Sequence, residues 1–331
     1  MEKPHQENDI IRDRYKIRSV IGQGGMGRVY LADDLRLSGR LCALKAVHYE
    51  NSLPEDVIQQ TRKQFRREAT VLARLDHPNL PKVSDFFSDK DRDYLVMDYV
   101  PGKDLRMLML EARERGEYLS ERDVLSWANQ IADALIYLHQ QDPIILHRDI
   151  KPSNIKLTPN GVIKLVDFGL VKLLVSGEKT ITVVHGHGSA YYTPLEQYGG
   201  DTGHTDPRSD VYSFGATLYH LLTNTPPVEA RERFLHPTRD LDLQSINPHI
   251  SPRTERAVQL AMKVHPDERI QSVEEFKRML LGEWDPKRNP GAPLPAPKLG
   301  DFLGVSDEQL LAWGAALLFI VSLIVTLFKT A

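Results

Sequence analysis

From Tyr15 to Tyr99 the apolar positions recur mostly at every second residue. "YKIRSVIG" alternates, "RVYLADD" follows a cluster of glycines, "LCALKAVHY" alternates again, and "YLVMDYV" is a compact β-prone run. That period predicts strands, because successive side chains of a strand point to opposite faces. One stretch departs from it. "EDVIQQTRKQFRREATVLARL" brings Phe65, Val71, Leu72 and Leu75 to one face only at helical spacing, so a helix interrupts the strands.

After "PGKDL" the period lengthens to that of helices. "SERDVLSWANQIADALIYLHQ" places Leu125, Ala128, Ile131, Ala132, Leu135 and Leu138 on one stripe, with Ser120 at the N-cap. "RSDVYSFGATLYHLLT" and "SVEEFKRMLLG" read as further helices, the second closed by Gly282. Strands first and helices afterwards predict an α+β organisation. Residues 1–14 read as a frayed polar arm, 15–98 as a small β-rich lobe and 101–282 as a larger helical lobe.

The pattern changes twice more. "EWDPKRNPGAPLPAPKLG", 283–300, carries five prolines and opens a semi-extended linker over 283–309. The stretch 310–328, "LLAWGAALLFIVSLIVTLF", has no charged residue. As a helix it spans about 28 Å, close to the hydrocarbon thickness of a bilayer, and it is expected to be a transmembrane helix. Only Lys329, Thr330 and Ala331 follow it, so signals are expected to arrive laterally or from the cytoplasmic side.

Composition narrows the partners. The 331 residues carry 42 basic and 45 acidic side chains, a net charge of −3, and nothing in that balance suggests nucleic acid. The lone Cys42 excludes an intrachain disulfide and a zinc site built on cysteines. The opening "MEKPHQENDI" lacks the apolar core of a signal peptide, so by default the N-terminus is expected to stay in the cytoplasm.

Four short motifs carry chemistry. "IGQGGMGRVY" fits G-x-G-x-x-G through Gly22, Gly24 and Gly27. A dinucleotide-binding fold would need a helix straight after the third glycine. Here the chain alternates like a strand, so the glycines predict a strand–turn–strand flap whose bare backbone can close over phosphates. Lys45 in "ALKAV" shares a strand face with Ala43 and Val47, and Glu68 in "FRREATVL" is a candidate partner for its ammonium. "ILHRDIKPSN" sets Asp149, Lys151 and Asn154 close together: a carboxylate to orient a hydroxyl, a cation to neutralise charge, and an oxygen ligand for a metal. "VIKLVDFGL" puts Asp167 at the end of an apolar strand. Asn154 and Asp167 are oxygen ligands of the kind Mg²⁺ takes beside phosphates and water. His185 and His187 in "HGHG", without further ligands, read as ordinary loop residues.

As an ordered set these motifs resemble the eukaryotic-like serine/threonine protein kinases over roughly Tyr15 to Leu281. The resemblance implies a bilobal fold that binds ATP and Mg²⁺. Ile21, Gly22, Gln23, Gly24, Gly25, Met26, Gly27, Arg28 and Val29 would form the loop over ATP, and Lys45 would contact its phosphates while paired with Glu68. Met97 would be the gatekeeper, Asp98 to Val100 the hinge against adenine, and Asp104 the acid near the ribose. Asp149 would be the catalytic base, Lys151 would steady the transferred phosphate, and Asn154 and Asp167 would hold Mg²⁺. Asp210 would brace the catalytic loop, and Arg269 would pair with Glu196. "DIKPSN" points to Ser and Thr as acceptors. "YTPLEQY" departs from the family, with Leu195 in the usual proline's place and Pro194 one position earlier. Ser189 stands where threonine usually lines the acceptor pocket.

The expected protein is a membrane-tethered kinase of the bacterial type, with Ser/Thr proteins and the lipid bilayer as partners. Self-association would support trans-autophosphorylation at Thr180 or Thr182 beside Arg148. The alternatives are a catalytically silent nucleotide-binding scaffold at the membrane and, less consistent with the segment from Asp167 to Glu196, a small-molecule phosphotransferase.

Overall fold

The structure, a computed structural model, describes residues 4–24, 27–47, 55–90, 92–167, 172–173, 190–198, 205–236 and 241–282. Gly25, Met26, Thr180, Thr182, His185, His187, Ser189, the linker 283–309 and the apolar run 310–328 lie outside them. Among the described residues no helix is long and apolar enough to cross a membrane.

The small lobe is built on one antiparallel sheet of six strands: β1 (Ile10–Ile11), β2 (Tyr15–Gly24), β3 (Gly27–Asp34), β4 (Leu41–Val47), β5 (Val83–Asp89) and β6 (Arg92–Asp98). Their order is β1-β2-β3-β4-β6-β5, and α1 (Glu55–Leu72) lies between β4 and β5 in the chain. Side-chain alternation divides the central strands between two cores. Cys42, Leu44, Ala46, Tyr94 and Val96 join Tyr15, Tyr30 and Phe87 in a core confined to this lobe. Ala43, Leu95 and Met97 face the other way, into a core that continues through α1 into the large lobe. Lys45 lies opposite Leu95 in the register, on that second face.

Two features of this lobe differ from the sequence expectation. β5 carries Ser84, Asp85 and Ser88 and buries only Val83 and Phe87, so it has no clean period; as an edge strand it needs none. The N-terminal arm is not frayed from His5 onward. Asn8 N donates to Ile17 O at 2.8 Å, β1 pairs with β2, and His5 Nε2 lies 2.8 Å from Tyr94 Oη with its ring edge-on to Tyr30. The stacked rings of Tyr15, Phe87 and Tyr94 form an aromatic floor, and covering it removes apolar surface from water.

The large lobe holds α2 (Leu105–Glu114), α3 (Glu121–His139), α4 (Pro207–Thr223), α5 (Ala230–Leu235), α6 (Leu243–Ile246), α7 (Pro252–Ala261) and α8 (Val273–Leu281). Short strands β7 (Lys103–Asp104), β8 (Ile145–Leu146), β9 (Ile155–Leu157), β10 (Ile163–Leu165) and β11 (Lys172–Leu173) make two small sheets, β10-β9-β7 and β11-β8. Strands of two or three residues leave no period to read. α3 behaves as its pattern predicts: Ser120 Oγ accepts from Asp123 N at 3.1 Å, and all six stripe residues are buried. α4 is buried on nearly every side, with His220 the exception between Ser209 and Thr223. At Gly215 a Cβ would meet that of Ala261 at 2.9 Å, so glycine here lets α4 and α7 approach closely.

Candidate active site

The chain leaves β8 through two buried residues, His147 and Arg148, and reaches Asp149. Arg148 sits at φ 65°, a left-handed turn that is costly for a residue with a Cβ and must be held from outside. Asp210, fully buried in α4, holds it: its carboxylate accepts from His147 N at 2.9 Å and Arg148 N at 2.8 Å, and lies 2.9 Å from His139 Nε2. Burial alone would push the Asp210 carboxyl up. The hydrogen bond from His139, the charges of His139 and His147 and the Arg148 N–H outweigh it and keep the group below its ordinary value. Asp210 was expected from the sequence; His139, its second clamp in the last turn of α3, was not.

Beyond the turn, three side chains converge as their spacing predicts. Lys151 Nζ donates to both oxygens of Asp149, at 2.9 and 2.7 Å. Asn154, at the end of the 3₁₀ turn Pro152–Asn154, donates through Nδ2 to Asp149 O and Oδ2 at 2.9 and 2.8 Å. Val166 N donates to Asn154 O at 2.8 Å, tying this loop to the strand end that carries Asp167. Asp167 also has positive φ, 66°, and its carboxylate takes the ammonium of Lys45. The Lys45 charge holds the Asp167 carboxyl low against the cost of its partial burial, helped by the Lys45 hydrogen bond and the Lys151 charge.

The expected Lys45–Glu68 pair is therefore replaced by Lys45–Asp167. Glu68 accepts from the Gln64 amide at 3.0 Å, and burial pushes its carboxyl up to about 7. A single ammonium on a rigid central strand is taken by the carboxylate that the chain end at 167 delivers to it. Glu68 stays on a helix that packs chiefly on the edge strand β5.

The nucleotide-loop residues fall on β2 and β3. Gly22 lies opposite Val29, Gln23 opposite Arg28 and Gly24 opposite Gly27, the two paired strands of the expected flap. Ile21 is exposed at the rim. Gly27 has φ 141°, and a Cβ there would meet Ala46 O at 1.9 Å, so no other residue fits without moving β3 off β4. Met97 and Val100 are buried, and Asp98 accepts from Arg40 Nη2 at 3.1 Å. Asp104 has a local duty besides the one expected: it caps α2, accepting from Met107 N at 2.9 Å.

The donors present suit a hard divalent cation. Asn154 spends its amide N–H groups on Asp149, which leaves Oδ1 as the metal-facing atom, and Asp167 is ionised. Among the described residues there is no group of three or more His, Cys, Asp or Glu that would hold a metal unaided. Two protein oxygens match an ion completed by phosphate and water.

Glu196 and Arg269 pair as expected, at 2.8 and 3.2 Å. The family departure is accommodated locally: buried Pro194 caps the 3₁₀ turn Leu195–Gln197, and Leu195 packs against the main core.

The chain is similar to known proteins over most of its length. Residues 15–286 match the family model described as protein kinase domain. A probable serine/threonine-protein kinase of Streptomyces coelicolor is 37% identical over 287 residues, covering 84% of this chain and 40% of that protein. Serine/threonine-protein kinase PrkC of Bacillus subtilis is 32% identical over 286 residues, covering 84% and 42%. The chain thus spans about two fifths of the length of these curated relatives. The PknI kinase domain of Mycobacterium tuberculosis superposes with a TM-score of 0.63 at 27% identity, covering 83% of this chain and 98% of that one.

Proposed function

The chain belongs to the protein kinase family, and on that premise we propose that it is a serine/threonine protein kinase that uses ATP and Mg²⁺. The carrying observation is the convergence of Lys151 and Asn154 on the Asp149 carboxylate, on a loop braced by Asp210. In the proposed reaction the acceptor hydroxyl oxygen forms a bond to the terminal phosphorus while the bond to the bridging oxygen breaks and ADP leaves. Asp149 receives the hydroxyl proton. Lys151 turns from Asp149 to offset charge on the transferred group, and Asn154 keeps the carboxylate oriented. Lys45 addresses the other phosphates. Asn154 and Asp167 would hold the metal ion, which would supply positive charge to the phosphate oxygens.

The test is incubation of the full chain with γ-labelled ATP, Mg²⁺ and a generic protein substrate, followed by phosphoamino-acid analysis. Label is expected on Ser and Thr. Asp149→Asn should lower the rate by about 10³-fold, within the range for a lost general base, while nucleotide binding persists. Wild-type rates in that variant, or label on Tyr alone, would overturn the reading; nucleotide binding with no transfer would favour the silent scaffold.

Residues 310–328 are proposed to tether the kinase to a membrane with its domain in the cytoplasm. Support comes from a charge-free run of bilayer length behind a proline-rich linker. Confinement near one plane raises effective concentration, which favours phosphorylation of Thr180 or Thr182 by a second copy. Deleting 301–331 should move the protein from the carbonate-washed membrane pellet to the supernatant with its activity retained. A truncated form that stays in the pellet refutes the tether.

A further inference from the structure

Three side chains of α4 link the catalytic loop to a corner of the surface. Thr217 Oγ1 donates to Ile150 O, next to Asp149, at 3.1 Å. Ser213 Oγ, one turn earlier, donates to Tyr192 O at 2.8 Å. His220 Nδ1, one turn later, lies 2.6 Å from Tyr192 Oη. Positions 213, 217 and 220 share a helix face, and His220 lies only about 5 Å along the axis from Thr217.

Beside this pair runs α2. It buries Leu105, Met109 and Ala112 and exposes Arg106, Leu110 and Arg113, which follow one another at i, i+4 and i+7. Neighbouring cations have carboxylates: Lys103 binds Glu111 at 2.6 Å, and Arg115 binds Glu117 at 2.8 Å. Among the described residues, the guanidinium groups of Arg106 and Arg113 make no hydrogen bond or ion pair. Burial, then the charges of Arg106 and Arg113, holds the His220 ring down at about 4, and Arg106 also acts on Tyr192. No acid is among the groups acting on either ring. At neutral pH His220 is uncharged, and among the described residues two positive charges stand unanswered beside the Tyr192–His220 pair.

We propose that Arg106 and Arg113 select acceptor proteins that carry an acidic side chain within a few residues of the phosphorylated Ser or Thr. This rests on the kinase reading above. A guanidinium meets a carboxylate with two parallel hydrogen bonds, so arginine gives geometry as well as charge. The apolar Met107 and Leu110 beside them offer contact to the rest of the peptide.

The experiment uses the full chain and Thr peptides with Glu, Ala or Lys at each of four positions on either side of the acceptor. Phosphorylation is read as kcat and KM, and binding of Ala-acceptor versions by fluorescence anisotropy. Glu at a favoured position should raise kcat/KM at least about 10-fold through KM. The Arg106→Gln/Arg113→Gln variant should abolish the difference between Glu and Ala peptides, and Arg106→Glu/Arg113→Glu should favour Lys peptides. Labelling with no Glu preference, or a preference that survives in the double variant, overturns the corner and leaves the kinase reading standing. Arg-dependent binding of Glu peptides with no labelling of any peptide overturns the kinase reading and leaves the corner. Neither binding nor labelling removes both.

Discussion

Glu196 in the large lobe binds Arg269 through two hydrogen bonds of 2.8 and 3.2 Å, whereas among the described residues Glu68 in the small lobe accepts only from the neutral amide of Gln64, with Arg148 acting on it through space. The difference lies in what holds each cation. The Arg269 side chain is fully buried, donates to the carbonyls of Lys263, Val264 and Arg208, and lies over the Tyr212 ring at 5.1 Å. Its position is settled by groups other than Glu196, so the carboxylate meets a charge already in place. Lys45 is a flexible ammonium between two lobes, and it goes to Asp167. The large lobe builds its charge pairs in; the small lobe can exchange them. That suits a site in which Lys45 must leave Asp167 when phosphates and a metal ion arrive.

The contrast can be broken at several points. Arg269→Ala should do the most damage, because Glu196 is left nearly buried without its charged partner, keeping the Ser209 hydroxyl; a loss of about 3–5 kcal/mol is expected in urea unfolding. A loss within about 1 kcal/mol would show that the pair is not a built-in support. Lys45→Met should instead act on rate. Transfer should fall by about 10²-fold or more, on the scale of a lost charge-stabilising donor. The urea midpoint should move much less than in Arg269→Ala, since the Asp167 side chain is 39% exposed and partly solvated. Nucleotide titration beside single-turnover transfer checks this, and wild-type values in both would remove Lys45 from the site.

Glu68→Gln sharpens the comparison through pH. The folded carboxyl titrates at about 7 against an ordinary 4.5, so between those values the folded state holds a proton the unfolded chain has released. The group costs nothing below pH 4.5, its penalty grows as pH rises, and the penalty is complete above pH 7. The variant should therefore be more stable than wild type by about 3 kcal/mol at pH 8, the gap closing toward pH 4.5. If Glu68 must reach Lys45 during turnover, the same variant will also transfer more slowly. A flat stability difference across that window would contradict the buried-acid account. His5→Ala should have the smallest effect, about 1 kcal/mol from one hydrogen bond and its ring contact. Hydrogen exchange should localise it to the amides of Asn8 and Ile17, which tie the arm to β2. Unchanged exchange there would mean that the arm is held by Ile11 alone.

The legibility of the site followed sequence separation. Asp149, Lys151 and Asn154 were readable because a short loop lets the backbone itself bring them together. The Gly22–Gly27 flap, the Ser120 cap and the α3 stripe were equally local. Asp104 shows the limit of local reading, since its cap on α2 was present in the sequence but overshadowed by the role the resemblance implied. Leu195 and Pro194 looked like a departure of consequence, and the fold absorbs them in one short turn. β5 and the N-terminal arm were missed for a different reason. An edge strand tolerates polar residues on both faces, and an arm with few apolar side chains shows no period until its aromatic floor is in view.

By itself the sequence determined the order of strands and helices, the chemistry of the catalytic loop, and the apolar faces that divide the two lobes. These depend on residue type and on neighbours a few positions away, where backbone geometry sets the distances. Only the tertiary structure decided which carboxylate takes Lys45, since Asp167 lies 122 residues further along the chain and Glu68 rides on a helix between them. It also decided that His139 and Asp210 clamp the turn at Arg148, and that among the described residues Arg106 and Arg113 are left without partners beside His220. A charge pairs with what packing brings within reach, and packing is a property of the whole chain.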